Sequence, residues 1–301
     1  MIYKKIELIQ ILQFLGNKVL KVTGPTDGVY IDNLADMEHV NNTTLDWVKP
    51  SNASKQQVVE NSKARVLLVD PEILPVDGKT LIAVKNPKVA LAEIGSHFFI
   101  ETLQPCIHPT AVVHPDAVIG KNNYIGPNCY IGKCTIGDNN VIHSNVSIYD
   151  RSIIGNNNVI HSGAIICVDG LGCMRDKDGR LQEFPQVGGV VIGNDTYIGG
   201  NTHIASGSLS DTIIGNGCKI NGMCFIGSND KLHDNVWITG STMLAGSVEV
   251  GKNTTIYSRV IVREWCEIGK DVTVGMGSVV TKNIPDGETW FGSPAKKVER
   301  K

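Results

Sequence analysis

A step of six residues from Ile214 through Ile220, Ile226, Leu232, Ile238, Leu244, Val250, Ile256, Val262, Ile268 and Val274 to Val280 meets an aliphatic side chain at all twelve positions. Aliphatic residues make up about a quarter of an ordinary chain, so composition does not produce such a run. A hexapeptide period predicts a parallel β-helix in which each hexad supplies a short strand and a corner, with three strands per coil. The same step holds upstream at Ile107, Val113, Ile119, Ile125 and Ile131. After a one-residue slip it resumes at Ile136, Ile142, Ile148, Ile154, Ile160 and Ile166, and again at Ile192, Ile198 and Ile204. These hexads predict roughly eight to nine coils of a triangular prism.

The residues around the aliphatic positions fit that prism. Gly120, Gly126, Gly132, Gly137, Gly155, Gly193, Gly215, Gly251 and Gly269 follow an aliphatic residue, and asparagines are frequent nearby. Both are expected at tight corners because positive φ costs them little. Cys129, Cys134, Cys218, Cys224 and Cys266 lie two residues before an aliphatic position, as do Thr196, Thr202, Thr212, Thr242, Thr254 and Ser278. Strand alternation turns that slot inward, where a narrow prism takes only small side chains. These cysteines are therefore expected in the core, with no redox or metal chemistry.

Two segments break the rhythm: residues 167–191, "CVDGLGCMRDKDGRLQEFPQVGGVV", and a four-residue excess in "SGSLSDT" at 206–212. Long loops on a stiff scaffold commonly carry function, so the first is expected to wall an active site. Residues 1–103 contain no hexads. A helix near 5–15, strands at "VYIDNLADM" and "ARVLLV", and a strand followed by a helix in "TLIAVKNPKVALAEIGSHFF" predict a small α/β domain. The expected organisation is thus an α/β domain at 1–103, the β-helix at 104–284 and a carboxyl-terminal extension at 285–301.

Several function classes fall away. A formal net charge of −2 without a basic block offers nucleic acid no electrostatic footprint. Neither a dinucleotide-binding glycine motif nor a P-loop occurs. The eight cysteines contain no Cys-x-x-Cys pair, and no metal centre is expected. Glu7, Gln10 and Gln13 interrupt the apolar start at helical spacing, which favours an amphipathic helix over a signal peptide. No stretch is long and apolar enough to span a bilayer, and a cytoplasmic protein is expected.

"IHPTAVVHPDAVIG" at 107–120, "SNVSIYD" at 144–150, "VDGLG" at 168–172, "FPQVGGVVIG" at 184–193 and "GSLSDTIIGNG" at 207–217, preceded by "AVKNPKVALAEI", together resemble the UDP-3-O-acylglucosamine N-acyltransferase family of lipid A biosynthesis. The resemblance implies a left-handed β-helix, a homotrimer with sites between neighbouring prisms, and transfer of an acyl group from a thioester to an amine on a nucleotide-linked sugar. Asp169, Gly170, Leu171 and Gly172 correspond to a loop at the family's active site. Trp47, with Lys49 and Ser51 in "LDWVKPS", falls near the family's uracil-stacking aromatic; simple core packing is the other reading of Trp47.

One motif departs from the family. Where the lipid A enzymes place a histidine expected to act as base, this chain has Ser228 in "IGSN", and Trp265 stands where a second family histidine would align. Acyl transfer to an amine still needs a proton acceptor and donors for the oxyanion. His203, His233 and the inward-facing Asp230 are candidate bases, and Asn229 is a candidate for orienting the amine or the thioester carbonyl. Chemistry by positioning alone and a non-catalytic nucleotide-sugar binder remain open. His143 and His161, one coil apart, are expected to stack structurally.

The final segment, "GSVVTKNIPDGETWFGSPAKKVERK", resembles the end of acetyl-CoA-dependent hexapeptide transferases. It implies a donor site at Gly292, Ser293, Pro294, Ala295 and Lys296, with Lys296, Arg259 or Arg263 available to phosphates. The expected co-substrate is acetyl-CoA, used in surface-glycan biosynthesis. The alternative is a hydroxyacyl chain carried by acyl carrier protein, as in lipid A biosynthesis. No bound cofactor is expected.

Overall fold

The computed structural model describes residues 5–298, so the first four and last three residues of the expected terminal segments lie outside it. The chain divides into two compact units, the first ending at Thr102 and the second beginning at Leu103.

The first unit holds a four-stranded sheet in the order Val19–Thr23, Thr80–Val84, Val66–Val69, Leu45–Trp47. The first pair is antiparallel and the other two are parallel. "VLLV" at 66–69 is buried on both faces, which explains its continuous apolar run. Leu8, Ile11 and Leu15 of helix Leu8–Leu15 pack on one face with Leu68, Ile82 and Ile94, while Leu67, Val69 and Leu81 meet Val59 on the other. Helix Pro87–Ile94 starts with proline in its first turn and Asn86 as N-cap, whose side chain accepts from the Val89 N–H at 3.2 Å. The strand Val19–Thr23 and the helix Lys55–Asn61 had no sequence signal. The first alternates weakly, and the second buries only Val59.

The second unit is the left-handed parallel β-helix, with two-residue strands stacked into three ladders of eleven, nine and eight strands. Ile125, Ile142, Ile160, Ile198, Ile220, Ile238 and Ile256 lie in register in one ladder and are fully buried. Each such side chain contributes about 1.5–3 kcal/mol by leaving water. Register is kept across both irregular segments because their extra residues leave the prism as loops. Residues 172–175 and 181–184 of the first segment form an antiparallel hairpin.

The inward slots hold small residues, as expected. Cys129, Cys134, Cys218, Cys224 and Cys266 are buried, as are the six Thr and Ser positions. Thr242 donates to the Tyr257 carbonyl at 3.0 Å and Thr254 to the Gly269 carbonyl at 2.7 Å. Cys129 and Cys218 donate equivalently to the carbonyls of His143 and His233, at 3.0 and 3.1 Å. Burial pushes the Cys134 and Cys218 thiols up to about 11, which keeps them protonated and unreactive.

The corner glycines require a correction. None of the nine that follow an aliphatic residue has positive φ; after all but Gly132 that conformation falls two residues later, at Asn122, Asn128, Asn139, Asn157, Asp195, Gly217, Asn253 and Asp271. The glycines are there because the next coil leaves no room for a side chain. A Cβ on Gly251 would sit 2.5 Å from the Gly269 carbonyl carbon and the Lys270 nitrogen. Gly251→Ala is expected to cost about 1–3 kcal/mol by overpacking. Gly277→Ala, at φ 70° with open space around it, should cost only about 1 kcal/mol of left-handed strain. Urea melts of the two variants check this ordering.

At the far end, strand Thr289–Phe291 pairs with Thr273–Val274 and turns back through Gly292–Ala295 to Lys296–Lys297. Trp290 and Ala295 close the core there, at 7% and 3% exposure.

Candidate functional site

The two interruptions of the hexapeptide rhythm meet over one corner of the prism. Val187 and Gly188 of the long segment donate backbone N–H bonds to Ser208 and Gly207 of the short one, and Gly189 N–H donates to Asp211 Oδ1 at 2.7 Å. Both segments converge on Ser228 and Asn229. Ser228 Oγ donates to Gln186 Oε1 at 3.4 Å, and Ser208 Oγ donates to the same oxygen at 3.2 Å. A Cβ on Gly170 would sit 2.3 Å from Ser228 Oγ, so the "DGLG" loop lies directly on this corner and a side chain there would require the Ser228 hydroxyl to turn away.

Asn229 is the fastening. Its Oδ1 accepts from the Ser208 N–H at 2.9 Å, while its Nδ2 donates to Ser210 Oγ at 2.7 Å and the Ser210 carbonyl at 3.2 Å. Its own N–H donates to Thr212 Oγ1 at 2.9 Å. The residue sits in the left-handed region at φ 66°, which asparagine tolerates. The loop base is held separately. Arg151 donates to Asp169 Oδ1 at 3.0 Å and to the Gly188 carbonyl at 3.0 Å, and Ser206 Oγ donates to Asp169 at 3.2 Å. Asp169 therefore anchors the loop, whereas Leu171 stands 79% exposed on it.

Beside this junction lies a groove of about 570 Å³ lined by Phe184, Ser208–Ser210, Asn229, Lys231, Ser247, Glu249, Trp265 and Glu267. Two columns build it. Asn229, Ser247 and Trp265 repeat every 18 residues along one corner, and Lys231, Glu249 and Glu267 lie in register on the adjoining face. The sequence reading stepped by six and so missed Lys231, Glu249 and Glu267; stepping by the full coil would have stacked them.

The other candidates separate. His203 lies one coil before the Ser228 hexad, in register with Phe225, with ring centroids 5.0 Å apart, and is not part of the groove lining. Burial holds the His203 imidazole below its usual range, favouring the neutral form. Asp230 is fully buried, its Oδ1 accepting from the Val248 N–H at 2.8 Å and its Oδ2 from the Gly227 N–H at 2.7 Å. It cannot meet a substrate in this position, and burial pushes its carboxyl up to about 7. His233 lies on the far side of the charged face, with Nε2 2.7 Å from Glu249 Oε1. His143 and His161 stack with centroids 4.6 Å apart. Among the described residues, no group of three or more His, Cys, Asp or Glu is placed to hold a metal ion.

Trp47 ends the edge strand Leu45–Trp47 and packs, partly buried, against the core that contains Leu68 and Ile94, which is the packing alternative raised for it. Lys49 and Ser51 are exposed in the turn that follows. Of the donor-side set, Arg259 precedes and Arg263 follows the strand Ile261–Val262. The Gly292–Ala295 turn serves the end of the prism: Val279 N–H donates to the Gly292 carbonyl at 3.0 Å and Ala295 N–H to the Val279 carbonyl at 2.8 Å. Lys296 projects from it, exposed.

Residues 247–282 match the family described as "Bacterial transferase hexapeptide (six repeats)", and residues 100–174 match "GMPPB C-terminal domain". A UDP-3-O-acylglucosamine N-acyltransferase of Coxiella burnetii is 32% identical over 245 residues, covering 74% of this chain and 72% of that protein. One from Bordetella parapertussis is 36% identical over 155 residues, covering 50% of this chain and 43% of its own. Among solved structures, the UDP-N-acetylglucosamine acyltransferase of Bacteroides fragilis 9343 is 29% identical with a TM-score of 0.57, covering 64% of this chain and 74% of that one. That of Francisella novicida has a TM-score of 0.59 at 27% identity, covering 64% and 70%. Prism, loops and relatives together define an acyltransferase of the hexapeptide-repeat class. The chain belongs to the UDP-3-O-acylglucosamine N-acyltransferase family.

Proposed function

We propose that this acyltransferase moves an acyl group from a thioester to the amino group of a UDP-linked amino sugar, in the groove beside Asn229. The observation that carries the reading is the junction itself. Both departures from the hexapeptide rhythm are tied by the Asn229 side chain over the corner where the family's catalytic motif aligns. Trp265, 76% exposed and at φ 62°, offers the groove a flat apolar wall suited to a sugar ring. Its positive φ is the corner conformation shared with Asn229 and Ser247 on the coils before it.

The donor has two readings. The Gly292–Lys296 segment, resembling the end of acetyl-CoA-dependent transferases, supports acetyl-CoA and a role in surface-glycan biosynthesis, with Arg259, Arg263 or Lys296 meeting phosphates. The names of the relatives support a hydroxyacyl chain delivered by acyl carrier protein for lipid A. Val112, Ile165, Met243 and Ile261 are exposed along one outer face, an apolar stripe that supports association of copies into a homotrimer. Trp47, Lys49 and Ser51 keep a proposed place near the nucleotide. No helix among the described residues is long and apolar enough to cross a membrane, in keeping with work in the cytoplasm. Thiol release with UDP- and dTDP-linked amino sugars, tested with each donor in turn, distinguishes the readings. Turnover with one donor alone assigns it, and tight sugar binding without turnover of either would make the protein a binder.

A further inference from the structure

Ser228 supplies no base; of the three replacements named from sequence, His203 packs against Phe225, Asp230 lies inside the core, and His233 lines the neighbouring cavity rather than this groove. A proton acceptor supplied by the protein would then be a side chain that the groove exposes. Three ionisable residues line it: Lys231, Glu249 and Glu267. A lysine ammonium is a donor only, which leaves the two glutamates.

They differ in support. Glu249 Oε1 lies 2.7 Å from His233 Nε2, so the imidazole presents its Nε2–H to one carboxylate oxygen and fixes the rotamer. The second oxygen has no such tie among the described residues. Both glutamates line the Asn229 groove and the neighbouring cavity of about 670 Å³ that contains His233, Lys252 and Lys270, so both stand on the wall between them, and the His233 contact is what sets Glu249 apart. Glu267, directly in register with Glu249, makes no ion pair of its own among the described residues. A carboxylate held in one rotamer by a histidine, on the same groove wall as Asn229 and Trp265, is the arrangement a proton acceptor needs: fixed on one side and open on the other.

We propose that Glu249 accepts the proton of the substrate amine and that His233 is the residue positioning it. This rests on the reading of the groove as an amine acyl-transfer site. As the amine nitrogen bonds to the thioester carbonyl carbon, its proton passes to the free Glu249 oxygen. Collapse of the tetrahedral intermediate breaks the carbon–sulfur bond, and the departing thiolate takes that proton to leave as a thiol. The products are an amide and a free thiol, and Glu249 returns to its carboxylate form with no other reactant consumed. The neighbours facing Glu249 are Lys231 and Glu267 in register on either side, His233 at the preceding coil, and Lys252 beyond it.

The test measures steady-state transfer to a UDP-linked amino sugar with the donor that the wild type uses. Glu249→Gln keeps shape and polarity but removes the acceptor, and kcat should fall by about 10²–10⁴-fold with KM nearly unchanged. His233→Ala should lower kcat by about 10-fold without raising KM, and His233→Gln, which retains an N–H donor, should recover part of that loss. Unchanged kcat in Glu249→Gln, with an active wild type, overturns the proposal while leaving the groove's function standing. Absence of transfer to any amine by the wild type overturns both. A fall in kcat for Glu249→Gln accompanied by a lowered melting temperature is separated from a folding effect by Glu249→Asp, which should refold the site and regain only part of the rate.

Discussion

Asn229→Ala is expected to reduce kcat/KM by about a hundred-fold, the size of loss that follows when a catalytic constellation is misplaced by about an ångström. The side chain makes three bonds to the 206–212 segment, at 2.7, 2.9 and 3.2 Å, and that segment in turn holds the long loop through Gly188 and Gly189. Removing them frees one wall of the groove without touching the prism core. Because residue 229 has φ 66°, alanine would also carry backbone strain, so Asn229→Gly is the cleaner variant. It satisfies the backbone and removes only the fastening. Both variants should lose activity, and only Asn229→Ala should lose measurable stability, by about 1 kcal/mol. Parallel kinetics and urea unfolding check the pair. Wild-type kinetics in Asn229→Gly would show that the fastening does not shape the site.

The second large effect is on stability and comes from Asp230. At the same inward slot, Asn140 and Asn158 accept an N–H from the next coil and donate to a carbonyl there, as do Thr242 and Thr254. Asp230 instead accepts two N–H groups and donates nothing when ionised. Burial raises its carboxyl to about 7, against 3.8 for the unperturbed group. With the folded value raised, the proton stabilises the folded state below the unfolded pKa, and this contribution is lost as pH rises through the folded pKa. Between pH 8 and pH 5 the wild type should gain about 3 kcal/mol from this group alone. Asp230→Asn cannot titrate, although its amide nitrogen would replace the oxygen that accepts from the Gly227 N–H, so the difference in unfolding free energy between the two proteins should change by that amount across the window. A difference independent of pH would mean that the carboxylate is solvated and outside the core.

Sequence gave the prism almost in full because one side chain in six is fixed by burial, and the periodicity survives even where loops intervene. The inward position of Cys129, Cys218 and Cys224 was legible for the same reason: strand alternation leaves no other direction. The glycines were attributed to the wrong constraint. Their close approach to the next coil is a relation between residues some eighteen apart, as for Gly251 and Gly269, whereas positive φ is a local property. The site divides along the same line. Ser228 and Asn229 could be found from a local motif, but the groove depends on registers between coils, which set Trp265 and Glu249 near Asn229 and leave His203 against Phe225, outside the groove lining. Short strands and helices of the first unit, such as Val19–Thr23 and Lys55–Asn61, bury too few side chains to leave a periodic trace.

The most direct test of the central claim is acyl transfer itself, followed as free-thiol release and amide formation when the purified protein meets a UDP-linked amino sugar and either acetyl-CoA or hydroxyacyl-loaded carrier protein. The account predicts stoichiometric thiol and amide with one of the two donors, lost when the sugar amine is already acylated. Thiol release independent of the amine, or none with either donor while the sugar binds tightly, would contradict it.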